Sequence, residues 1–428
     1  LCTNLNRYAV RLLALLAMLA VSLATQAGRA GYGQDFVRLD AAAVSVEEAQ
    51  DKAEPAPGAV DPGAYQQRLL ALELQQGPYA DALAEPLAAM GRHYRQRGEY
   101  DEAVKLYTRA LHVVRVNDGL YSERQAPLVR DLLGIYRQAQ DWQALDERYQ
   151  YFFRLFGNGQ PPLTGLRLRA AVEYMRWQRE AISRGLGNEQ RRIVELVELN
   201  DALLAAERKG EAAGYQWRRV LTFSQMRNLY LLQQEFEISQ TQMVQRGPGY
   251  YPGAPPAISE DLDTQRLDNL LRNAPGKGRQ LLAQLLPEAR LRGARESASV
   301  QLALADWYFW NRQQGRAAEA YQQVIATLTE AGEPALLQQW LGEPQELPAE
   351  HLYGDVPGVP EPIVVSARYD VSARGRPTNL EVALLSGGNE QHLGTFRRQL
   401  SATLFRPRWA DGEAEGVSGL ARDYRLLD

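Results

Sequence analysis

Cysteine is nearly missing from this 428-residue chain: the one example is Cys2. It lies ahead of a short apolar run, so it can be neither half of a structural disulfide nor a lipoprotein cysteine, which would follow such a run. A thiolate zinc site is excluded with it, and the four histidines, His93, His112, His351 and His392, are scattered without ligand spacing. Lysine is scarce as well, with Lys52, Lys105, Lys209 and Lys277 against a large number of arginines, a bias that points to a GC-rich bacterial source. The formal net charge of -4 leaves no basic excess for a bulk grip on nucleic acid. There is no phosphate-loop or Gly-x-Ser-x-Gly motif, and "DLD" at 261–263 reads as a helix start. The expectation is a chain with no metal, no cofactor and no enzymatic activity.

No apolar run reaches the roughly 20 residues that a spanning helix needs. The longest, "LLALLAMLAVSLA" at 12–24, follows Arg7 and Arg11 and ends in the small residues of "TQAGRA". Positive flank, short core and small-residue exit predict an export signal over 1–27, removed after Ala24 or Ala27, and hence a periplasmic location. The alternative is an uncleaved anchor that holds the chain on the inner membrane, facing the periplasm.

Patterning divides the remainder. Residues 28–63 read as a flexible leader and 64–245 as a first helical lobe. The run "RGPGYYPGAPP" lies in a Pro/Gly loop at 246–261, followed by a second helical lobe at 262–341 and a proline-rich linker at 342–361. The tail, 362–428, changes period. Ile363, Val365, Ala367, Tyr369 and Val371 alternate with polar neighbours as in a half-buried strand. Gly375 offers a tight turn, and a second alternating run carries Leu380, Val382 and Leu384. A helix with Leu393, Phe396, Leu400 and Leu404 on one face follows, then a last strand from Val417 to Leu427. The expected order is β-β-α-β, with the last strand on an open edge of the sheet.

Within the first lobe "LAAMGRHYRQRGEYDEAVKLYTRAL", from Leu87, spaces Gly91, Tyr94, Gly98, Tyr100, Ala103, Tyr107 and Ala110 as small and aromatic residues are spaced in the tetratricopeptide repeat, which it resembles. Tyr136, Leu145 and Tyr149 repeat part of the pattern, with Leu133 in place of the small residue. Ala305, Tyr308, Ala317 and Tyr321 do so again, with Gly315 out of position. The resemblance implies a mainly α fold, a helical solenoid of stacked hairpins, because one hairpin cannot bury its own apolar face. On the face that lines the groove of such repeats it sets Arg92, Arg95, Arg130 and Arg137, a candidate clamp for an acidic peptide or a terminal carboxylate.

The tail's strand and helix order, its Arg-Gly turn, the "FRPR" helix exit and the Asp-Gly turn at 411–412 are similar to the C-terminal domain of the TonB family. That resemblance covers about the last 70 residues. It implies a periplasmic α+β domain that pairs an extended segment of an outer-membrane receptor along a strand edge, here through Leu420, Arg422, Tyr424 and Leu426. The whole then reads as an envelope scaffold for protein partners. The alternative is a variant TonB-type energy transducer with a retained N-terminal anchor. The short apolar core, with Ser22 as its one polar residue, departs from that family's motor-coupling helix.

Overall fold

The computed structural model describes residues 32–33, 35–39, 62–207, 214–236, 258–349 and 362–427. The expected export signal and most of the loop at 246–261 lie outside the described residues.

After a short strand β1 (Phe36–Arg38), helices follow one another: α1 (Pro62–Gln76), α2 (Ala84–Gln96), α3 (Tyr100–Asp118), α4 (Ala126–Gln138), α5 (Trp142–Leu155), α6 (Gly165–Ser183), α7 (Glu189–Glu207), α8 (Tyr215–Glu235), α9 (Ile258–Arg290), α10 (Ala294–Trp310), α11 (Gln314–Glu330) and α12 (Pro334–Leu341). A short strand, β2 (Gln345–Leu347), comes next. Consecutive helices pack as neighbours, which is the solenoid order. The small residues of the first repeat have the role that their spacing predicts. Ala103 is fully buried, and a Cβ on Gly91 would lie 2.7 Å from the Tyr107 ring, so Gly91 lets the α3 tyrosine seat against α2.

The hairpin turns explain why the later repeats are hard to see in the sequence. In the first, Gly98 takes φ 76° and the Glu99 N–H donates to the Tyr94 carbonyl at 3.0 Å. The same bond recurs from Asp141 to Tyr136 at 2.9 Å and from Gln313 to Tyr308 at 2.9 Å. The same helix C-terminus is thus built at all three of these turns. The left-handed residue, however, is Gln140 at φ 56° in the second copy and Arg312 at φ 60° in the third. Two non-glycine residues carry a conformation that costs roughly 1–2 kcal/mol each, so the glycine signal disappears while the geometry persists.

The tail contains β3 (Val364–Val371), β4 (Pro377–Ser386), α13 (Glu390–Ala402), β5 (Leu404–Arg406), β6 (Arg408–Ala410), β7 (Glu413–Glu415) and β8 (Val417–Leu426). Val365, Ala367, Tyr369 and Val371 are buried, as the alternation predicts, and Phe396 and Leu400 of α13 cover them. Asn389 caps α13, accepting from the backbone N–H groups of Gln391 and His392. Asp411 (φ 52°) and Gly412 (φ 82°) form the tight turn between β6 and β7.

Five expectations are corrected here, the first being the β-β-α-β order, to which the structure adds the short strands β1, β5, β6 and β7. Leu404 belongs to β5 and not to the helix, which ends at Ala402. The last strand is not an open edge along its whole length: the main sheet runs β1-β8-β3-β4, all antiparallel, and β1 covers Tyr424 to Leu426. β1 comes from the stretch read as a flexible leader and pairs Phe36, Val37 and Arg38 with Leu426, Arg425 and Tyr424. It does so because Phe36 and Tyr32 complete the apolar core of the tail. Finally, the proline-rich stretch begins with a strand, β2, which is paired to β5.

The tail is seated on the last helical hairpin. Arg406 of β5 stands 3.4 Å from Asp306 of α10, both buried, and Trp409 packs on Tyr321 of α11 with ring centroids 4.9 Å apart. The Phe405 N–H donates to the Gly375 carbonyl at 2.9 Å, and Phe309 of α10 closes over the same glycine.

Candidate partner-binding faces

The four arginines expected to line the groove divide unevenly. Arg92 on α2 is exposed, and among the described residues no ion pair engages it. The other three are held by the next repeat. Arg95 donates to Gln138 of α4 at 3.1 Å and lies 3.7 Å from Asp131. Arg130 lies 3.5 Å from Glu173 of α6 and over the Phe152 ring. Arg137 makes two bonds to Glu180 of α6, at 2.7 and 2.9 Å, and stacks over Trp177. The bonds from Arg95 to Gln138 and from Arg137 to Glu180 each step 43 residues, about one repeat. The series continues from α6 to α8, where buried Arg179 donates to Asn228 at 2.8 Å.

This ladder makes Arg95, Arg130 and Arg137 contacts between repeats in the first instance. Burial pushes the Glu180 carboxyl up, but Arg137 and Arg184 more than offset it, and the group stays below the usual carboxylate range. The Arg137 pair is well shielded, with side chains 14% and 7% exposed. A buried bidentate pair of this kind does not open readily for a partner. The Arg130 pair is half-exposed and longer, so its mutual attraction is weak and its guanidinium remains within reach of an incoming carboxylate.

In the tail, Leu420 is half-buried against the core, opposite Tyr369. Arg422, Tyr424 and Leu426 all turn to partners within the chain. Arg422 Nη1 donates to Glu346 Oε1 at 2.9 Å, and the Tyr424 hydroxyl donates to the same oxygen at 2.6 Å. Arg38 reaches the other Glu346 oxygen at 3.4 Å. Glu346 is fully buried, so a carboxylate from β2 is held by donors from β1 and β8. Burial and the neighbouring carboxylate push the Tyr424 phenol well above its ordinary range, which keeps it a donor. Burial would lower the Arg422 pKa, but Glu346 reverses this and raises it.

Sequence reasoning misses Glu346 as a functional position because it stands in a proline-rich run with no period. The one available signal is the Arg-x-Tyr alternation of 422–424, which points two polar groups to one face of a strand.

Strand β4 is the outer strand of the sheet and pairs only with β3 among the described residues. Leu385 on it is 57% exposed. Helix α13 packs beside it, and Arg397 caps the Leu380 carbonyl at 2.8 Å.

Residues 87–119 match the family model of the tetratricopeptide repeat. No curated protein matches the chain. Among solved structures, a crystal structure from Podosopora anserina, described as that of nearly identical TPR-like repeats of a kinesin light chain, is similar at 16% identity with a TM-score of 0.36; the match covers 58% of this chain and 95% of that one. The chain thus carries a tetratricopeptide repeat in a mainly helical array with a small β-rich tail, and such repeats suggest a scaffold for protein–protein interaction.

Proposed function

We propose that the chain is a non-enzymatic adaptor of the bacterial periplasm that holds one partner on its repeat groove and a second, extended partner along its tail sheet. The observation that carries this reading is the presence of two separate open surfaces. One is the first helix of the matched repeat, with Arg92 exposed; the other is strand β4, which has no second strand partner among the described residues. An open edge takes up an extended segment through main-chain hydrogen bonds, with side chains adding selectivity. The similarity of the tail to the TonB family supports an envelope protein as that second partner, and the signal-like residues 1–27 support the address. Because β1 pairs with Tyr424 to Leu426, Glu346 engages Arg422 and Leu420 packs on the core, the acceptor edge in this proposal is β4 in place of those four residues.

The test uses photo-crosslinking residues at positions 92 and 385 of the full chain in intact cells, followed by fractionation. Two different sets of crosslinked proteins, recovered with the periplasm, are expected. Recovery in the cytosol, or no crosslinked protein from either position, overturns the proposal.

A further inference from the structure

A cavity of about 420 Å³ opens where the leader, the helical array and the tail meet. Its apolar side is aromatic, with Phe223 and Tyr230 of α8 and Trp340 of α12. Its polar side carries Arg38 of β1, Arg227 of α8 and Arg406 of β5. The volume lies in the range of small-molecule sites, and the lining has their usual composition of an apolar wall with a few convergent polar groups.

Arg406 is the unusual member. It is 3% exposed, and its Nη1 has no hydrogen-bond acceptor, while its Nε is 3.4 Å from Asp306 Oδ1 without forming a hydrogen bond. Asp306 Oδ1 already accepts from the Tyr321 hydroxyl at 2.7 Å. A guanidinium with unspent donors in a buried wall is costly unless an acceptor meets it. Arg38 is held by Glu346, and Asp306 stands beside Arg406 Nε, so the donor left open toward the cavity is Arg406 Nη1, which suits a single carboxylate.

We propose that this cavity binds a small monocarboxylate with an aromatic body, its carboxylate on Arg406 and its ring among Phe223, Tyr230 and Trp340. The site is separate from both partner surfaces. It draws its walls from three parts of the chain, so an occupant ties the tail to the helical array.

The probe is 4-phenylbutyrate, titrated into the full chain by calorimetry and by the fluorescence of the tryptophans, with 4-phenylbutanol and 4-phenylbutyl phosphate as parallel arms. Saturable binding of one carboxylate per chain is expected, with the alcohol weaker by about tenfold or more because it forms no charge-assisted bond. Arg406→Met should remove that difference. Because this residue is buried and its loss can unfold the tail, Ala303→Phe, which fills the cavity from α10 without removing a charge, should abolish binding in a chain whose circular dichroism is unchanged. No saturation up to about 10 mM overturns the proposal. So does equal binding of the alcohol, tighter binding of the phosphate, or undiminished binding by the folded Ala303→Phe chain.

Discussion

Phe36 lies opposite Leu426 in an antiparallel ladder, and its ring meets Phe396 edge-on at 5.0 Å and Tyr424 at 5.7 Å. A three-residue strand from the leader is therefore part of the tail's core as well as its sheet. Removal of the signal after Ala24 or Ala27, as the sequence predicts, would retain both Tyr32 and Phe36.

Phe36→Ala should cost about 3–5 kcal/mol, because the ring is fully buried and its neighbours belong to a sheet and a helix that cannot collapse into the space. Urea denaturation followed through tail-specific probes checks this. A loss below about 1 kcal/mol would mean that β1 is dispensable to the tail.

Glu346→Gln keeps the shape of the side chain but removes the negative charge that faces Arg422 and Arg38. One partner of a buried pair is then left uncompensated, at a cost of about 3–5 kcal/mol. Differential scanning calorimetry of the full chain should show the loss. Residues 362–428 expressed alone lack β1, β2 and Glu346, and are expected to be less stable than the tail in the whole protein.

The sequence makes long elements legible and short ones illegible. Eight residues of β3 are enough to display a period of two, and Val365, Ala367, Tyr369 and Val371 are buried as that period requires. Three residues, as in β1 and β2, cannot establish any period, so both read as parts of irregular segments. Repeat spacing predicts that Arg92, Arg95, Arg130 and Arg137 lie on helices, and they stand on α2 and α4, but their partners cannot be read from it. Which carboxylate meets Arg137 depends on how far α6 is displaced along α4, and stacking geometry leaves no local mark. The turn at Gln140 is hidden for a different reason: its left-handed backbone is held by the surrounding helix ends and not by a residue that prefers it.

The Arg137–Glu180 bridge gives the repeat array a pH dependence of definite sign. The Glu180 carboxyl is held below its ordinary value in the folded chain, so its contribution is present above that value and is lost as pH falls through the folded one. Asp306 acts oppositely, because burial raises its pKa and its contribution fades as pH rises. The comparison must therefore be made between the parent and Glu180→Gln. The variant should be less stable by about 3–5 kcal/mol at neutral pH, with the difference shrinking on acidification below about pH 4.5. A difference independent of pH would mean that the bridge contributes by packing alone.

The remaining prediction concerns the open edge. β8 is paired on one side along most of its length by β3, and its end is covered by β1 on the other. β4 has β3 on one side only among the described residues, and Leu385 near its end is more than half exposed, an apolar side chain on the solvent side of the strand. A charged side chain on an edge strand discourages pairing with another chain, because its solvation opposes close approach of a second strand. Leu385→Lys should therefore weaken capture of an extended partner while changing the stability of the chain by no more than about 0.5 kcal/mol, the usual range for a surface substitution. The repeat groove supplies the control: Arg92→Glu with Arg130→Glu should remove a different set of partners and leave the strand-edge set intact. The measurement is quantitative crosslinking of parent and variants from intact envelopes. If Leu385→Lys retained every partner at the parent's level, β4 would be a passive border of the sheet, and the adaptor would have to work through its repeats alone.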